Sequence, residues 1–142
     1  VRVFHIAATD DSGKSDVAKK LSAIIARADA VVIVSPEYNH GYPGELKMML
    51  DMSDGEYAKK PVALCGVSSG TFGGARMMEQ LRSVCIDLEA VPILEAVYFS
   101  NIEELFDKSG ALLDDSYHAR VSKLLDSLLW YAKVLKAGRE QE

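Results

Sequence analysis

The sequence predicts an α/β fold in which a mostly parallel sheet is covered by helices on both faces. Short apolar segments alternate with segments whose apolar residues repeat at helical spacing, and this alternation is typical of βαβ units. The chain has 142 residues, which is the length of one ordinary domain. We therefore expect residues 1–142 to form a single α/β domain.

Four apolar segments are the predicted strands. They are Val1–Ala7, Val31–Val34, Pro61–Val67 and Val91–Phe99. The second is a continuous β-branched run, which is typical of a strand covered on both faces. Pro92 lacks the amide proton for a ladder hydrogen bond, so the last strand is expected at an edge of the sheet.

Helical spacing of apolar residues predicts four helices between and after these strands. In the first helix, one face is predicted to carry Val17, Leu21, Ile24, Ile25 and Ala28. A short second helix is expected to begin near Pro43. The other two are predicted over the segments Met78–Leu88 and Val121–Leu135.

Composition excludes several classes of function. The net charge of −5 argues against a nucleic-acid-binding surface. The two cysteines do not form a CxxC pair, so neither a disulfide framework nor a zinc site is expected. No apolar run approaches the ~18–20 residues that span a bilayer. With no secretory signal visible, we expect a cytosolic protein without membrane contact.

The loop Ser68–Gly74 is a candidate binding site because it follows a predicted strand and opens a helix. Ligands bind at the carboxyl ends of strands in parallel sheets. Three of its seven residues are glycine, so backbone N–H groups are accessible there. The helix start adds partial positive charge. These features favour a planar, polar-edged ligand that can become anionic.

A second candidate loop, Pro36–Gly44, follows the β-branched strand. It combines flat aromatic surface with hydrogen-bonding groups, as binding pockets often do. Its composition is equally compatible with a plain surface turn shaped by Pro36, Asn39 and Gly41.

Two segments around these loops resemble a known family. They are VVIVSPEYNHGYPGELKMMLD and PVALCGVSSGTFGGARMMEQLR. The PEYN motif, the following PG-x-LK and the GVSSGxxGGAR loop are similar in content, order and spacing to the NADPH-dependent FMN reductase family. That family is a branch of the flavodoxin-like fold that includes quinone and azo-dye reductases. The resemblance implies a three-layer αβα fold and a homodimer or homotetramer.

The resemblance also implies an oxidoreductase that uses FMN and NAD(P)H. Hydride would pass from NAD(P)H through bound FMN to a quinone-like or flavin acceptor. No catalytic side chain is expected, because hydride transfer to flavin N5 requires ring stacking at ~3–3.5 Å rather than a protein acid. The sequence gives no basis for choosing NADH or NADPH and does not identify the acceptor.

In this family both loops hold the isoalloxazine ring of FMN. The first loop would line the ring largely through its backbone, and the residues implied are Pro36, Glu37, Tyr38 and Asn39. His40 is a further candidate for contact with the ring or the substrate. The second loop would meet the pyrimidine edge or shape the nicotinamide side, and the residues implied are Ser68, Ser69, Gly70, Thr71, Phe72 and Gly73.

The segment Ala8–Ser15, ATDDSGKS, leaves alternatives open. It approaches a P-loop with Ala8 in place of the first glycine, which would indicate a nucleotide-binding NTPase with Glu37 as its best magnesium-binding acid. Asp10 and Asp11 oppose that hypothesis, because they would repel phosphates. A plain polar turn that ends in a helix cap at Ser15 or Asp16 is the favoured interpretation of this segment.

The phosphate-binding loop typical of the family is not recognisable in this sequence. Val1–Ala7 aligns with the family's second strand, so we expect that loop upstream of Val1. A degenerate phosphate loop at Ala8–Ser15, using Thr9, Ser12, Lys14 and Ser15, is the alternative. A non-catalytic flavodoxin-like module that lacks the loop is a further hypothesis.

Overall fold

The computed structural model of the protein describes residues 15–53 and 55–141. The predicted strand Val1–Ala7 and most of the segment Ala8–Ser15 lie outside the described residues. The elements are α1 (Asp16–Arg27), β1 (Val31–Pro36), α2 (Gly44–Leu50), β2 (Pro61–Val67), α3 (Ala75–Asp87), β3 (Val91–Phe99), a 3-10 turn (Ile102–Glu104) and α4 (Ser116–Arg139).

The three strands within the described ranges form a parallel sheet in the order β1-β2-β3. Both β2 and β3 have the predicted bounds, whereas β1 continues beyond Val34 to Pro36. β1 and β2 pair without interruption from Val31 opposite Val62 to Pro36 opposite Val67. Helix–strand alternation therefore gives the parallel sheet that the sequence predicts.

Among the described strands, β3 lies at one edge of the sheet, as Pro92 predicts. Its pairing with β2 is irregular just after Pro92. Arg82 of α3 donates one hydrogen bond to the Ile93 carbonyl at 2.8 Å and a longer one to the Leu94 carbonyl at 3.4 Å. Proline, irregular pairing and an arginine on the carbonyl groups all reduce the tendency of an edge to pair with another chain.

Apolar side chains of β2 are buried on both faces of the sheet, whereas the predicted cover on both faces of β1 is wrong within the described residues, because Val32 and Val34 are 43% and 64% exposed. Successive residues of β2 point to opposite faces, so Val62 and Leu64 join one cluster while Ala63 and Cys65 join the other. The first cluster includes residues of α3, and the second includes residues of α4. This arrangement gives the predicted layers of helix, sheet and helix.

The predicted apolar face of α1 is wrong at Val17 and Ile24, which are 39% and 65% exposed. Ala18 and Ile25 are buried and Leu21 is partly buried. These three positions fall within about 60° of the helix circumference, and Ile24 lies outside that arc. The stripe that α1 buries is therefore narrower than the sequence pattern suggests.

The connection between α2 and β2 is more buried than its polar composition suggests. Tyr57 is 2% exposed and packs in the α3-side cluster. Lys60 is also buried, and its ammonium donates to the carbonyls of Ile25 at 2.6 Å and Ala26 at 3.0 Å. Lys60 therefore adds a donor to carbonyl groups in the last turn of α1, where the Ala28 amide also donates to the Ile25 carbonyl at 3.0 Å. Among the described helices, none is both long and apolar enough to cross a membrane.

Gly66 permits the backbone of the loop after β2 to lie directly against the end of that strand. A Cβ at Gly66 would stand 2.3 Å from the Gly73 carbonyl oxygen. Gly73 and Gly74 have φ values of +58° and +81°, which residues other than glycine rarely adopt. The three glycines together bring the loop backbone back onto β2.

We expect Gly66→Ala to destabilise the fold by about 1–3 kcal/mol, because the added methyl overlaps backbone that cannot move independently. Urea unfolding followed by circular dichroism measures this change. Gly44→Ala is the matched control, since a Cβ there meets no atom within 4 Å. A Gly66→Ala protein as stable as the Gly44→Ala protein would contradict this account of the loop.

Candidate functional site at the carboxyl ends of β1 and β2

The two candidate loops leave the sheet side by side. β1 and β2 end at the paired residues Pro36 and Val67. The Glu37 amide then donates to the Val67 carbonyl at 2.9 Å, which extends the pairing beyond the strands. The loops therefore start at the same level of the sheet, although they are ~30 residues apart in sequence.

The carbonyl groups of the second loop face the segment that follows β3. The Asn101 amide donates to the Gly70 carbonyl at 3.0 Å, and the Ser100 hydroxyl donates to the Thr71 carbonyl at 2.9 Å. Within the described part of the chain, the amides of Ser69, Gly70 and Thr71 donate no hydrogen bond. These residues are exposed, so their N–H groups are accessible to a ligand.

The first loop contains a tight turn. Tyr38 and Gly41 exchange backbone hydrogen bonds of 2.9 and 3.0 Å. The two residues between them, Asn39 and His40, have φ values of +49° and +69°. Two consecutive positive φ values are typical of a type I′ turn. The turn leaves Tyr38 at the rim with 61% of its surface exposed.

The side chain of Glu37 points towards α3 instead of the open rim, and it is only 3% exposed. Its carboxylate accepts a hydrogen bond from Arg76 Nε at 2.7 Å and forms an ion pair with Arg76 Nη2. It also accepts from the Met77 amide at 3.3 Å. Burial alone raises the pKa of Glu37, but these hydrogen bonds outweigh burial and hold the pKa below its ordinary value.

Two polar side chains of α3 also hold the turn. Arg76 Nη1 lies 2.8 Å from His40 Nε2, and Gln80 Nε2 donates to the His40 carbonyl at 2.8 Å. The Arg76 guanidinium carbon stands 4.9 Å from the centre of the Phe72 ring, which is a cation–π distance. Arg76 therefore touches residues of both candidate loops.

The structure brings the sequence-predicted site residues together at one end of the sheet, in two groups that differ in exposure. The exposed group is Tyr38, Asn39, His40, Ser69, Gly70, Thr71 and Phe72, and the buried or partly buried group is Pro36, Glu37, Ser68 and Gly73. Gly73 lies against Tyr98, where a Cβ would stand 2.7 Å from the Tyr98 Cβ atom. The second group therefore shapes the loops, and the first forms the surface that a ligand can reach.

Sequence reasoning missed the contacts that Arg76 and Gln80 make with the first loop. Their spacing of four places both on one face of α3. The sequence did hold one signal for these contacts. An acidic residue, Glu37, lies in the loop after a buried strand, and Arg76 lies two residues after the glycine pair. The partners are about 40 residues apart, so spacing alone does not pair them.

A separate groove of about 350 Å³ lies along β3 and α4. It is lined by Leu94, Glu95, Ala96, Tyr98, Arg120 and Lys123. None of the sequence-predicted site residues lines it.

Comparison with known proteins identifies the family. The family model for NADPH-dependent FMN reductases matches residues 3–104. The chain belongs to this family. It is 34% identical over 116 residues to an NAD(P)H-dependent FMN reductase of Pseudomonas aeruginosa, covering 78% of this chain and 63% of that protein. It is 32% identical over 110 residues to a quinone reductase of Escherichia coli K12, covering 73% of this chain and 58% of that protein. The chain thus spans less than two thirds of the length of either relative.

Comparison of structures confirms the fold class. The solved structure of FerB, a flavoenzyme NAD(P)H:(acceptor) oxidoreductase from Paracoccus denitrificans, superposes with a TM-score of 0.76 and 22% identity. The match covers 92% of this chain and 75% of FerB. The family and this likeness confirm the flavodoxin-like α/β fold that the sequence predicts.

The residues at the ends of β1 and β2 fit the ring portion of FMN. A Cβ at Gly70 would meet no atom within 4 Å, so the backbone there has open space in front of it. The neighbouring amides supply donors of the kind that the pyrimidine edge of a flavin accepts. Exposed aromatic rings stand on both loops, at Tyr38 and Phe72.

The contribution of Glu37 to stability should depend on pH. Because the folded state lowers the pKa of Glu37, this contribution is complete above the ordinary pKa of ~4.5 and is lost as the pH falls through the folded value. We expect Glu37→Gln to cost about 1–2 kcal/mol at pH 7. The difference between variant and wild type should shrink below pH ~4.5, as measured by urea unfolding.

Glu45→Gln is the control for this measurement, because Glu45 is exposed in the first turn of α2 and its replacement should change the free energy of unfolding by less than ~1 kcal/mol. A difference between Glu37→Gln and wild type that stays constant from pH 7 to pH 3.5 would contradict the ion pair between the buried Glu37 carboxylate and Arg76.

Proposed function

We propose that the protein is an NAD(P)H-dependent FMN oxidoreductase that passes hydride through bound FMN to quinone-like or flavin acceptors. The observation that carries this proposal is the position of the Ser69–Thr71 amides. They are accessible, they donate no hydrogen bond within the described residues, and they lie in a motif typical of the family. The adjoining turn adds aromatic surface at Tyr38.

The backbone of the second loop would bind the polar edge of the ring. The amides of Ser69, Gly70 and Thr71 would face the N1–O2 edge, where negative charge develops on reduction. The N-terminal end of α3 adds partial positive charge on the same side. Bound FMN would supply the hydride-transfer chemistry, while the protein orients the rings and stabilises the charge.

The acceptor, assembly and compartment belong to the same proposal. Relatives named as quinone reductases favour a small-molecule acceptor of the quinone class. We further propose one flavodoxin-like domain over residues 1–142, a homodimer or homotetramer, and a cytosolic location. No contact with nucleic acid or membrane is proposed, since the net charge is −5.

The P-loop hypothesis finds less support. The Ser15 hydroxyl accepts a hydrogen bond from the Ala18 amide at 3.1 Å, so Ser15 caps α1. Glu37, the acid that this hypothesis offers for magnesium, is held by Arg76 and the Met77 amide. A non-catalytic module is distinguished from a reductase by NAD(P)H-dependent turnover of a quinone in the presence of FMN.

Gly70→Ala tests whether FMN approaches the second loop. The added methyl meets no protein atom within 4 Å, so the free energy of unfolding should stay the same or rise by less than ~1 kcal/mol. FMN affinity should fall about tenfold or more, because the methyl occupies the space in front of the amides. Titration of the apoprotein, followed by quenching of FMN fluorescence, measures the affinity.

Gly138→Ala is the matched control, since a Cβ there also meets no atom within 4 Å but the residue lies in α4. It should leave FMN affinity unchanged. Wild-type protein that neither binds FMN nor reduces a quinone with NAD(P)H would refute the proposed function. Equal FMN affinity in wild type and Gly70→Ala would refute the placement of the ring.

A further inference from the structure

We propose that Arg76 is the positioning residue of the candidate site. One guanidinium holds the Tyr38–Gly41 turn against α3, contacts Phe72 in the other loop, and fixes His40 in the neutral tautomer with its proton on Nδ1. The consequence for flavin binding rests on the proposed function. The arrangement of the turn and of His40 can be tested without a ligand.

The nitrogen atoms of Arg76 bind in two directions. Nε and Nη2 face the Glu37 carboxylate, and Nη1 lies 2.8 Å from His40 Nε2. The guanidinium is planar and rigid, so binding Glu37 also fixes the direction of the bond to His40. A lysine keeps the charge but cannot reproduce both sets of contacts.

The contact between Arg76 and His40 determines where the imidazole carries its proton. A guanidinium only donates hydrogen bonds, so Nε2 of His40 must accept through its lone pair. The proton of the neutral ring is then on Nδ1. His40 is exposed, so Arg76 leaves it with a donor at Nδ1 next to the candidate flavin surface.

The turn depends on α3 because its backbone conformation is unfavourable by itself. Asn39 and His40 both have positive φ, and this conformation costs histidine more than asparagine, whose short polar side chain tolerates it. Gln80 donates to the His40 carbonyl one helical turn after Arg76. These two side chains of α3 therefore hold both the ring and the backbone of His40.

Arg76 is assigned a positioning role because its guanidinium is engaged by Glu37, His40 and Phe72 at once. Its charge is balanced by Glu37, whose side chain is only 3% exposed. Its guanidinium also stands over Phe72. Changing Arg76 should therefore move the surface that meets a ligand without removing a group that reacts.

The first test measures the His40 tautomer in the ligand-free protein. Long-range proton–nitrogen NMR spectra distinguish the two neutral forms, and His40→Asn assigns the signal among the three histidines. Wild type should show His40 with its proton on Nδ1, and Arg76→Lys should give a mixture of tautomers. A mixture or an Nε2-protonated ring in wild type would overturn the proposal.

The second test compares FMN affinity in Arg76→Lys and Arg82→Lys. Arg82 is an arginine of the same helix, but it binds the Ile93 carbonyl at 2.8 Å, away from both loops. Arg76→Lys should weaken FMN binding about tenfold, because the turn and His40 are then no longer held in position before FMN binds, whereas Arg82→Lys should leave affinity unchanged. Equal FMN affinity in wild type, Arg76→Lys and Arg82→Lys would overturn the positioning role, even if the three proteins unfold at different temperatures.

His40→Asn keeps the test decisive if Arg76→Lys fails to fold. The side chain is exposed, so the variant removes the imidazole partner of Arg76 and leaves the pair with Glu37 intact. FMN affinity should fall about threefold, the scale of one hydrogen bond, and an unchanged affinity would overturn the proposal. Wild-type protein that binds no FMN would refute the proposed function, while the tautomer decides separately whether Arg76 orients His40.

Discussion

The parallel pairing of β1 with β2 is the constraint on which the candidate site depends. It runs without a register shift to Pro36 opposite Val67, and the Glu37 amide continues it into the loops. A one-residue slip would turn the buried face of β1 outward. The same slip would move the two loops apart along the strand direction by about 3.3 Å. Core packing thus sets the distance between the loops.

Two further contacts make the loops one unit. Gly66 lets the Gly73 carbonyl approach β2 closely, so the second loop lies on the strand. The buried carboxylate of Glu37 then joins the first loop to the beginning of α3 through Arg76 and the Met77 amide. Removing Arg76 would leave the buried Glu37 carboxylate without its charged partner, which is costly. The stability of the fold and the shape of the site are therefore coupled.

Local patterns in the sequence predicted most of the fold. The apolar runs gave the bounds of β2 and β3, because a buried strand leaves a continuous signal. Ile24 was misplaced, since helical spacing does not tell how wide a stripe the sheet covers. The burial of Tyr57 was missed, because its neighbours are polar and its packing depends on tertiary contacts.

The candidate site also has a part that the sequence predicted and a part that depends on tertiary contacts. Motifs placed the two loops at neighbouring strand ends, and parallel pairing brings them together. The bond between Arg76 and His40 depends on the rotation of α3 about its axis and on two positive φ values. No local sequence pattern predicts the rotation of α3 or these φ values, so this contact could be found only in the folded structure.

The most direct test of the account is a titration of the isotopically labelled protein with FMN, followed by amide proton–nitrogen NMR. If both loops bind the ring, the amides of residues 37–40 and 68–73 shift together, at one common affinity. Shifts confined to one loop, or centred on the groove along β3 that Leu94 and Arg120 line, would contradict a flavin site built from both loops.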